Sequence, residues 1–294
     1  MKNPFRHVCI VGKPDGVGVA EPLAALLATL RAHGVKICLD TRTAGLATAD
    51  ELRDVEVRPL TSAFEGVELV IALGGDGTLL GIARAVADQN VPLVGVNLGT
   101  LGFLTDIPAG EMSAMFAALL ASEYEIEERL LLHASVRRND AIIHETVALN
   151  DVVVSRGAMG SMIEFAVEVN GEFVYSLRAD GIIVATPTGS TAYALSCGGP
   201  ILHPSLPAIS LVPISPHTLS NRPVAIPSNA VVRIRLVRGH NARVNFDVQS
   251  FFDPATDDVV TVQAHANRLK LLHPIGYSYY AMLRSKLHWN ERNS

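Results

Sequence analysis

The sequence predicts an α/β domain built on a parallel sheet, followed by an antiparallel β domain, with a helical tail that returns to the first. Three observations predict it. Up to about residue 130, short apolar runs alternate with amphipathic helical stretches, the pattern of a parallel sheet covered on both faces. From LLLHASVRRND onward the hydrophobic period becomes two, as in half-buried antiparallel strands. The chain, at 294 residues, is also longer than one ordinary core requires. The expected boundaries are 1–130 for the α/β domain, 131–274 for the β-rich domain and 275–294 for the tail.

In chain order, HVCIVG is a strand closed by glycine. VAEPLAALLATLRAHG sets Val19, Leu23, Leu26, Leu27 and Leu30 on one helical face and stops at Gly34. VKICLD and LVIALGG are the next strands, TLLGIARAVADQN a helix, VPLVGVN a fourth strand and GEMSAMFAALLASEYEIEER one further helical stretch. In the second part, IEFAVEV-NG-EFVYSL reads as a hairpin. Ile163, Phe165, Val167 and Val169 alternate with polar or small residues, and Asn170-Gly171 supplies the two positive-φ positions of a type I′ turn. VVRIRLV, ARVNFDV and RLKLLH continue the β domain, and SYYAMLRSKLHW is helical again.

Composition narrows the function. A net charge of -5 argues against a general nucleic-acid binder. Cys9, Cys38 and Cys197 form no CxxC pair, which points to reduced thiols rather than a disulfide frame or a zinc site. The N-terminus carries only a short apolar patch, and no apolar run reaches the ~18 residues a membrane span needs. A soluble cytoplasmic protein is expected.

Four segments carry candidate chemistry. In GGDGT, residues Gly74, Gly75, Asp76, Gly77 and Thr78 follow a strand and open a helix. Glycines there let a phosphate approach the backbone, and the helix N-terminus favours an anion. The lysine of a P-loop is absent, and the spacing is not GxGxxG. Asp76 could equally be a plain helix cap. In TPTGSTAY, the hydroxyls of Thr186, Thr188, Ser190, Thr191 and Tyr193 could hold phosphate or ribose oxygens, or simply cap their own loop. Asn150-Asp151 in ALNDVVVSRG is either a turn or a polar pair facing a ligand, and Asp180 could be a strand-start aspartate. NLGTLGFLTD, with Asn97, Gly99 and Gly102, follows a strand C-terminus, where open parallel sheets bind ligands.

Taken together and in order, GGDGTLL, NLGTLGFLTD, LNDVVVSRG, SLRADGIIVATPTGSTAYALSCGGPILHPSL and SPHTLSNRPVAIP resemble the NAD kinase family over nearly the whole chain. The GGDGT turn alone also occurs in phosphofructokinases and lipid kinases; the 31-residue block from Ser176 to Leu206 is the specific part. The resemblance implies a Rossmann-like first domain and a sandwich-like second one. It implies phosphorylation of the 2′-hydroxyl of the adenosine ribose of NAD by ATP, with a divalent metal, Mg²⁺, arriving with the nucleotide, since no metal-ligand cluster is visible. Asp76 would then be the general base, and a carboxylate among phosphates becomes tolerable once Mg²⁺ and the turn's amides share the charge.

The same resemblance implies contacts from Gly74, Gly75, Gly77, Thr78 and Phe103, and places Asn150 and Asp151 on the adenosine, Asp151 standing where relatives often have glutamate. Thr188, Thr191, Ala192, Tyr193 and Ser196 match the adenine and ribose stretch. Arg178 and Asp180 match positions near the nicotinamide, contributed across a subunit interface. Ser161, where relatives often have histidine, and Gln249 match further contacts. The implied assembly is a homotetramer or dimer with shared sites, with no nucleic acid or membrane partner. Two other readings remain open from the sequence: a lipid or sugar kinase with the same turn, and a non-catalytic nucleotide-binding regulator of this fold.

Overall fold

The computed structural model describes residues 4–99, 102–157, 161–218, 220–239 and 241–289. The chain forms two units, residues 1–127 with 269–294, and residues 128–268.

Among the described residues, the first unit holds an eight-stranded sheet. Its order is Val55–Arg58, Lys36–Asp40, His7–Gly12, Leu69–Leu73, Leu93–Asn97, Leu269–Pro274 and Tyr124–Arg129, with Ile107–Pro108 paired to Leu93–Asn97. The first five strands are parallel. Leu69–Leu73 and Leu93–Asn97 are buried at every residue, which is why they read as unbroken apolar runs. Helix Ala20–Ala32 buries Leu23, Leu26, Leu27 and Leu30, the face its spacing predicts, in a core shared with Ile10, Ile37, Ile71 and Phe116. The strand order reverses between His7–Gly12 and Leu69–Leu73, so a crevice opens beyond their carboxyl ends. The GGDGT turn begins there.

Among the described residues, the second unit holds two six-stranded sheets, ordered Val224–Pro227, Ala208–Ile214, Gly181–Ala185, Asp151–Arg156, Ala242–Phe246, Ser250–Phe252 and Glu172–Ala179, Ile163–Val169, Val232–Arg238, Val259–Ala264, Leu132–Arg138, Ala141–Ala148. All pairings within them are antiparallel. Val152, Val154, Ile182 and Val184 of one sheet share a core with Phe165, Val167, Ile234 and Val262 of the other. The NG hairpin forms as expected, with Asn170 at φ 54 and Gly171 at φ 83.

Two assignments from the sequence are corrected. The helix expected over GEMSAMFAALLASEYEIEER ends at Leu120, and Tyr124–Arg129 is a strand. Ser122 takes a positive φ of 70, which ends the helix, and the N–H groups of Ala121, Ser122 and Glu123 bond back to carbonyls of residues 117–119. RLKLLH was expected in the β domain; Leu269–Pro274 instead joins the first sheet, Leu271 pairing in parallel with Leu93. Its burial at Leu269, Leu271 and Leu272 fits an interior strand of that sheet. The tail helix Tyr279–Lys286, capped by the Ser278 hydroxyl, belongs to the first unit.

Candidate functional site

The candidate residues fall into two sets, one in each unit. The first is built on the strand Leu69–Leu73, whose end is tied on both sides: Lys13 N–H donates to Leu73 O at 2.8 Å and Gly74 N–H to Val96 O at 2.9 Å. The following helix starts at Asp76, with Gly75 as its N-cap residue and no side-chain cap. The plain reading of Asp76 as its own helix's cap is therefore replaced. Its carboxylate reaches across to the 102–105 turn instead. Oδ2 accepts Phe103 N–H at 2.8 Å, and Oδ1 accepts Leu104 N–H at 3.0 Å, Thr105 N–H at 3.2 Å and the Thr105 hydroxyl at 3.1 Å.

The Thr105 hydroxyl in turn accepts from Asn97 Nδ2 at 2.9 Å, and Asn97 Oδ1 receives Gly99 N–H at 2.7 Å. GGDGT and NLGTLGFLTD are thus one bonded unit. Gly102 permits it: a Cβ there would sit 2.0 Å from Asp76 Oδ1. Three of the four bonds fall on Oδ1, so Oδ2 keeps capacity for another donor. Gly75 and Gly77 are exposed, while Asp76, Thr78 and Phe103 are half-buried.

The second set gathers at one end of a sheet in the second unit. Asn150 and Asp151 open the central strand Asp151–Arg156. On one side Thr186 N–H donates to Asn150 O at 2.9 Å, and the Thr186 hydroxyl to Leu149 O at 2.6 Å. On the other, Asp247 accepts the N–H groups of Leu149, Asn150 and Asp151 at 2.7, 2.7 and 3.1 Å. With those backbone groups satisfied, Asn150 Oδ1 and Asp151 Oδ1 remain buried and without a partner. Burial first, and then the Asp247 charge, push the Asp151 carboxyl up to about 7.

In the TPTGSTAY segment, Gly189 lies against Asn150, where a Cβ would meet Asn150 O at 2.0 Å. Thr188 is buried and its hydroxyl accepts from Arg129 at 3.2 Å, while the Thr191 hydroxyl donates to Thr188 O at 3.1 Å. Ala192 leads into the short helix Tyr193–Ser196, on which Tyr193 and Ser196 are exposed. Burial, Cys197, Asp180 and Asp151 all push the Tyr193 phenol up.

The structure brings Asn150, Asp151, Thr188 and the 247–249 turn to one sheet end, but not Arg178 and Asp180. Asp180 and Thr186 flank the strand Gly181–Ala185, so at ~3.4 Å per residue they lie about 20 Å apart. Asp180 is paired with Arg156 at 2.6 Å, and Arg178 is exposed opposite Glu164. Ser161 and Gln249 are exposed. Sequence reasoning missed Thr105, Arg129 and Asp247. Thr105 lies inside a quoted motif, but Arg129 and Asp247 act over 59 and at least 96 residues of chain, and no local pattern marks them.

Comparison with known proteins places these motifs. Residues 8–124 match the family described as the ATP-NAD kinase N-terminal domain, and residues 149–273 the ATP-NAD kinase C-terminal domain. The chain is 49% identical to an NAD kinase of Chromobacterium violaceum over 292 residues, covering 99% of both chains. It is 47% identical to an NAD kinase of Burkholderia thailandensis over 294 residues, 99% of this chain and 97% of that one. Among solved structures, yeast NADH kinase complexed with NADH superposes with a TM-score of 0.90 at 26% identity, over 99% of this chain and 90% of that one. An Archaeoglobus fulgidus NAD kinase in complex with ATP shares the fold, with a TM-score of 0.73 at 24% identity over 96% and 98% of the two chains.

Proposed function

The chain belongs to the NAD kinase family and is an ATP-dependent kinase acting on NAD; on that premise we propose that Asp76 is the general base of its reaction. The observation that carries this is the placement of the Asp76 carboxylate, fixed by four donors from residues 103–105 with Oδ2 holding only one of them. Oδ2 accepts the proton of the ribose 2′-hydroxyl as that oxygen attacks the γ-phosphorus of ATP. The bond from the γ-phosphorus to the bridging oxygen breaks, and ADP leaves. The exposed amides around Gly75 and Gly77, at a helix N-terminus, hold phosphate oxygens.

The adenosine of NAD is bound by the second set. Asn150 Oδ1 and Asp151 Oδ1 are buried acceptors without donors, and hydroxyl or amino donors of a nucleoside satisfy them. Thr188, Thr191, Ala192, Tyr193 and Ser196 complete that surface, with Ser161 and Gln249 as further contacts. Mg²⁺ arrives with the nucleotide substrate, where it shares the phosphate charge with the amides of the turn. The protein acts in the cytoplasm; among the described residues no helix is long and apolar enough to cross a membrane.

Self-association into a dimer or tetramer accounts for Arg178, on the strand Glu172–Ala179 of the other sheet, and Asp180, at the far end of Gly181–Ala185, which serve the site of a neighbouring chain. Mixing Asp76→Asn chains with Asp180→Ala chains, each inactive alone, should restore part of the activity; no recovery despite demonstrated subunit exchange removes the shared site. The overall reading is tested by incubating the protein with NAD, ATP and Mg²⁺ and measuring NADP with an NADP-specific dehydrogenase. NADP should form, cease in EDTA and return with excess Mg²⁺.

A further inference from the structure

The turn at residues 246–249 carries a side chain that the fold does not explain. It joins the strands Ala242–Phe246 and Ser250–Phe252, and Gln249 N–H donates to Phe246 O across it at 2.9 Å. Its two central residues, Asp247 and Val248, have φ of 54 and 56. Two consecutive positive φ values are the requirement of a type I′ turn, which favours Asn-Gly or Asp-Gly. The chain uses that solution at Asn170-Gly171, where φ is 54 and 83. Asp247 is accounted for, since its carboxylate holds the N–H groups of Leu149, Asn150 and Asp151. Val248 is not. Among the described residues, every other non-glycine with positive φ is Asn, Asp, Ser or His. Val248 is the β-branched exception, and a branched Cβ is strained in this region.

Val248 is also 80% exposed, more than any other large apolar side chain among the described residues. Neither property serves the fold: the isopropyl group buries little within the chain, and glycine would relieve the backbone. Strain of this kind collects at ligand-binding positions. Asp247 N–H donates to Asp151 O at 3.1 Å, so the turn sits at the sheet end where Asn150 Oδ1 and Asp151 Oδ1 are buried without hydrogen-bond partners. Those two atoms call for donors, and the exposed isopropyl group calls for an apolar surface. Adenine supplies both, with a flat apolar face and an amino group on its edge.

We propose that Val248 is a specificity-determining contact for the dinucleotide, its isopropyl group packed on the adenine face while the edge of the base meets Asn150 and Asp151. This deepens, and rests on, the reading of the second set as the adenosine site. A phosphate gains nothing from an isopropyl group. A second copy of the chain laid over Val248 would cover the apolar surface but leave the two buried acceptors unanswered. The Asp247 carboxylate fixes the backbone of residues 149–151, and the strained turn beside it holds Val248 at the same place. Backbone strain is thus the cost of presenting an apolar group where the acceptors of the base edge already stand.

Val248→Gly tests this because strain and contact move it in opposite directions. Its Tm should rise, while KM for NAD rises about tenfold with kcat within about twofold of wild type. Val248→Asn, polar and tolerant of positive φ, should behave the same way. Val248→Ile keeps the branch and the apolar surface, so it should return both Tm and KM to wild-type values. ADP-ribose keeps the adenosine and lacks the nicotinamide; its Ki against NAD should rise by the same factor as KM in Val248→Gly. KM for ATP should not move. If ADP-ribose does not compete with NAD on the wild type, the adenosine reading fails and this contact with it. If it competes, but Val248→Gly leaves KM and Ki unchanged, the contact alone fails and Val248 is an ordinary turn residue. A rise in KM without a rise in Ki, or a matching rise in KM for ATP, places Val248 against a different group and overturns the assignment. A Tm that rises in neither Val248→Gly nor Val248→Asn removes the strain on which it stands.

Discussion

Asp247 accepts the backbone N–H of Asp151 at 3.1 Å while its charge helps to raise the carboxyl of that same residue. One aspartate thus orders the strand end and keeps its neighbour protonated. The sign of the stability effect follows. The folded Asp151 titrates at about 7 against an ordinary 3.8, so the folded chain holds a proton that the unfolded chain has lost. This contribution is fully present below about pH 4, declines as pH rises to about 7, and is then spent. A shift of about three units has a ceiling on the order of 4 kcal/mol. Urea midpoints of the wild type should fall over this window more steeply than those of Asp151→Asn. Parallel pH profiles would show that Asp151 is not protonated in the folded chain.

Asp76→Asn tests the base. The amide keeps one acceptor oxygen but turns an N–H₂ toward the 103–105 turn, where at least one backbone N–H then faces a donor. Stability should fall by about 1–3 kcal/mol, and turnover by about 10²–10⁴-fold. A variant that keeps more than roughly a third of wild-type kcat, with NADP measured directly, would end the assignment.

Gly189 and Gly75 should part company on substitution by alanine. A Cβ at Gly189 would meet the backbone oxygen of Asn150 at 2.0 Å, whereas one at Gly75 would meet nothing within 4 Å. Gly189→Ala should therefore destabilise by ~3 kcal/mol or more, read as a lowered Tm. Gly75→Ala should leave Tm unchanged and, on the proposal that this turn holds phosphate, raise KM for ATP. A lowered Tm with unchanged KM in Gly75→Ala would mean that the turn is structural only.

Arg178 should set the preference for NAD over NADH. Asp180 is paired with Arg156, and among the described residues Arg178, exposed opposite Glu164 on the neighbouring strand, forms no ion pair, so it is available to shape a pocket against the reduced ring. Arg178→Gly should raise the NADH-to-NAD ratio of kcat/KM on the order of tenfold, the usual scale for one pocket group. Equal use of both dinucleotides by the wild type would sink this, as would an unchanged ratio in the variant.

Much of this was legible from the sequence. Strands buried on both faces announce themselves as apolar runs, and the NG hairpin is specified by its turn residues, so the order of elements and the change of sheet type at the second unit could be read directly. YEIEER could not, because its glutamates and single isoleucine satisfy helical and alternating periods alike, and only the positive φ of Ser122 separates it from the preceding helix. RLKLLH carries strand character but no mark of which sheet it will join. At the site, the motif residues were visible, but the bonds that position them were not. Asp76 finds its donors 27 to 29 residues away, and Asn150 and Asp151 are held by Asp247, which no spacing rule connects to them. The ion pair of Asp180 was invisible for the same reason, because its partner Arg156 lies 24 residues away on the adjacent strand.

The strand Leu269–Pro274 sits between Leu93–Asn97 and Tyr124–Arg129 in the first sheet, and this has a consequence for synthesis on the ribosome. The first unit emerges with a vacant slot in its sheet, and the segment that fills it is made only after residues 128–268. At roughly 5–20 residues per second that delay is on the order of 10–30 s. During it, the Leu93 end of Leu93–Asn97, beyond the pairing of Val96 and Asn97 with Ile107–Pro108, and the edge of Tyr124–Arg129 are open to any extended chain, including another nascent copy. The second unit, contiguous in sequence, can close both of its sheets in the interval. Arrival of the C-terminal segment is then the step that shuts the first sheet, so nascent chains stalled before Leu269 should be the aggregation-prone species.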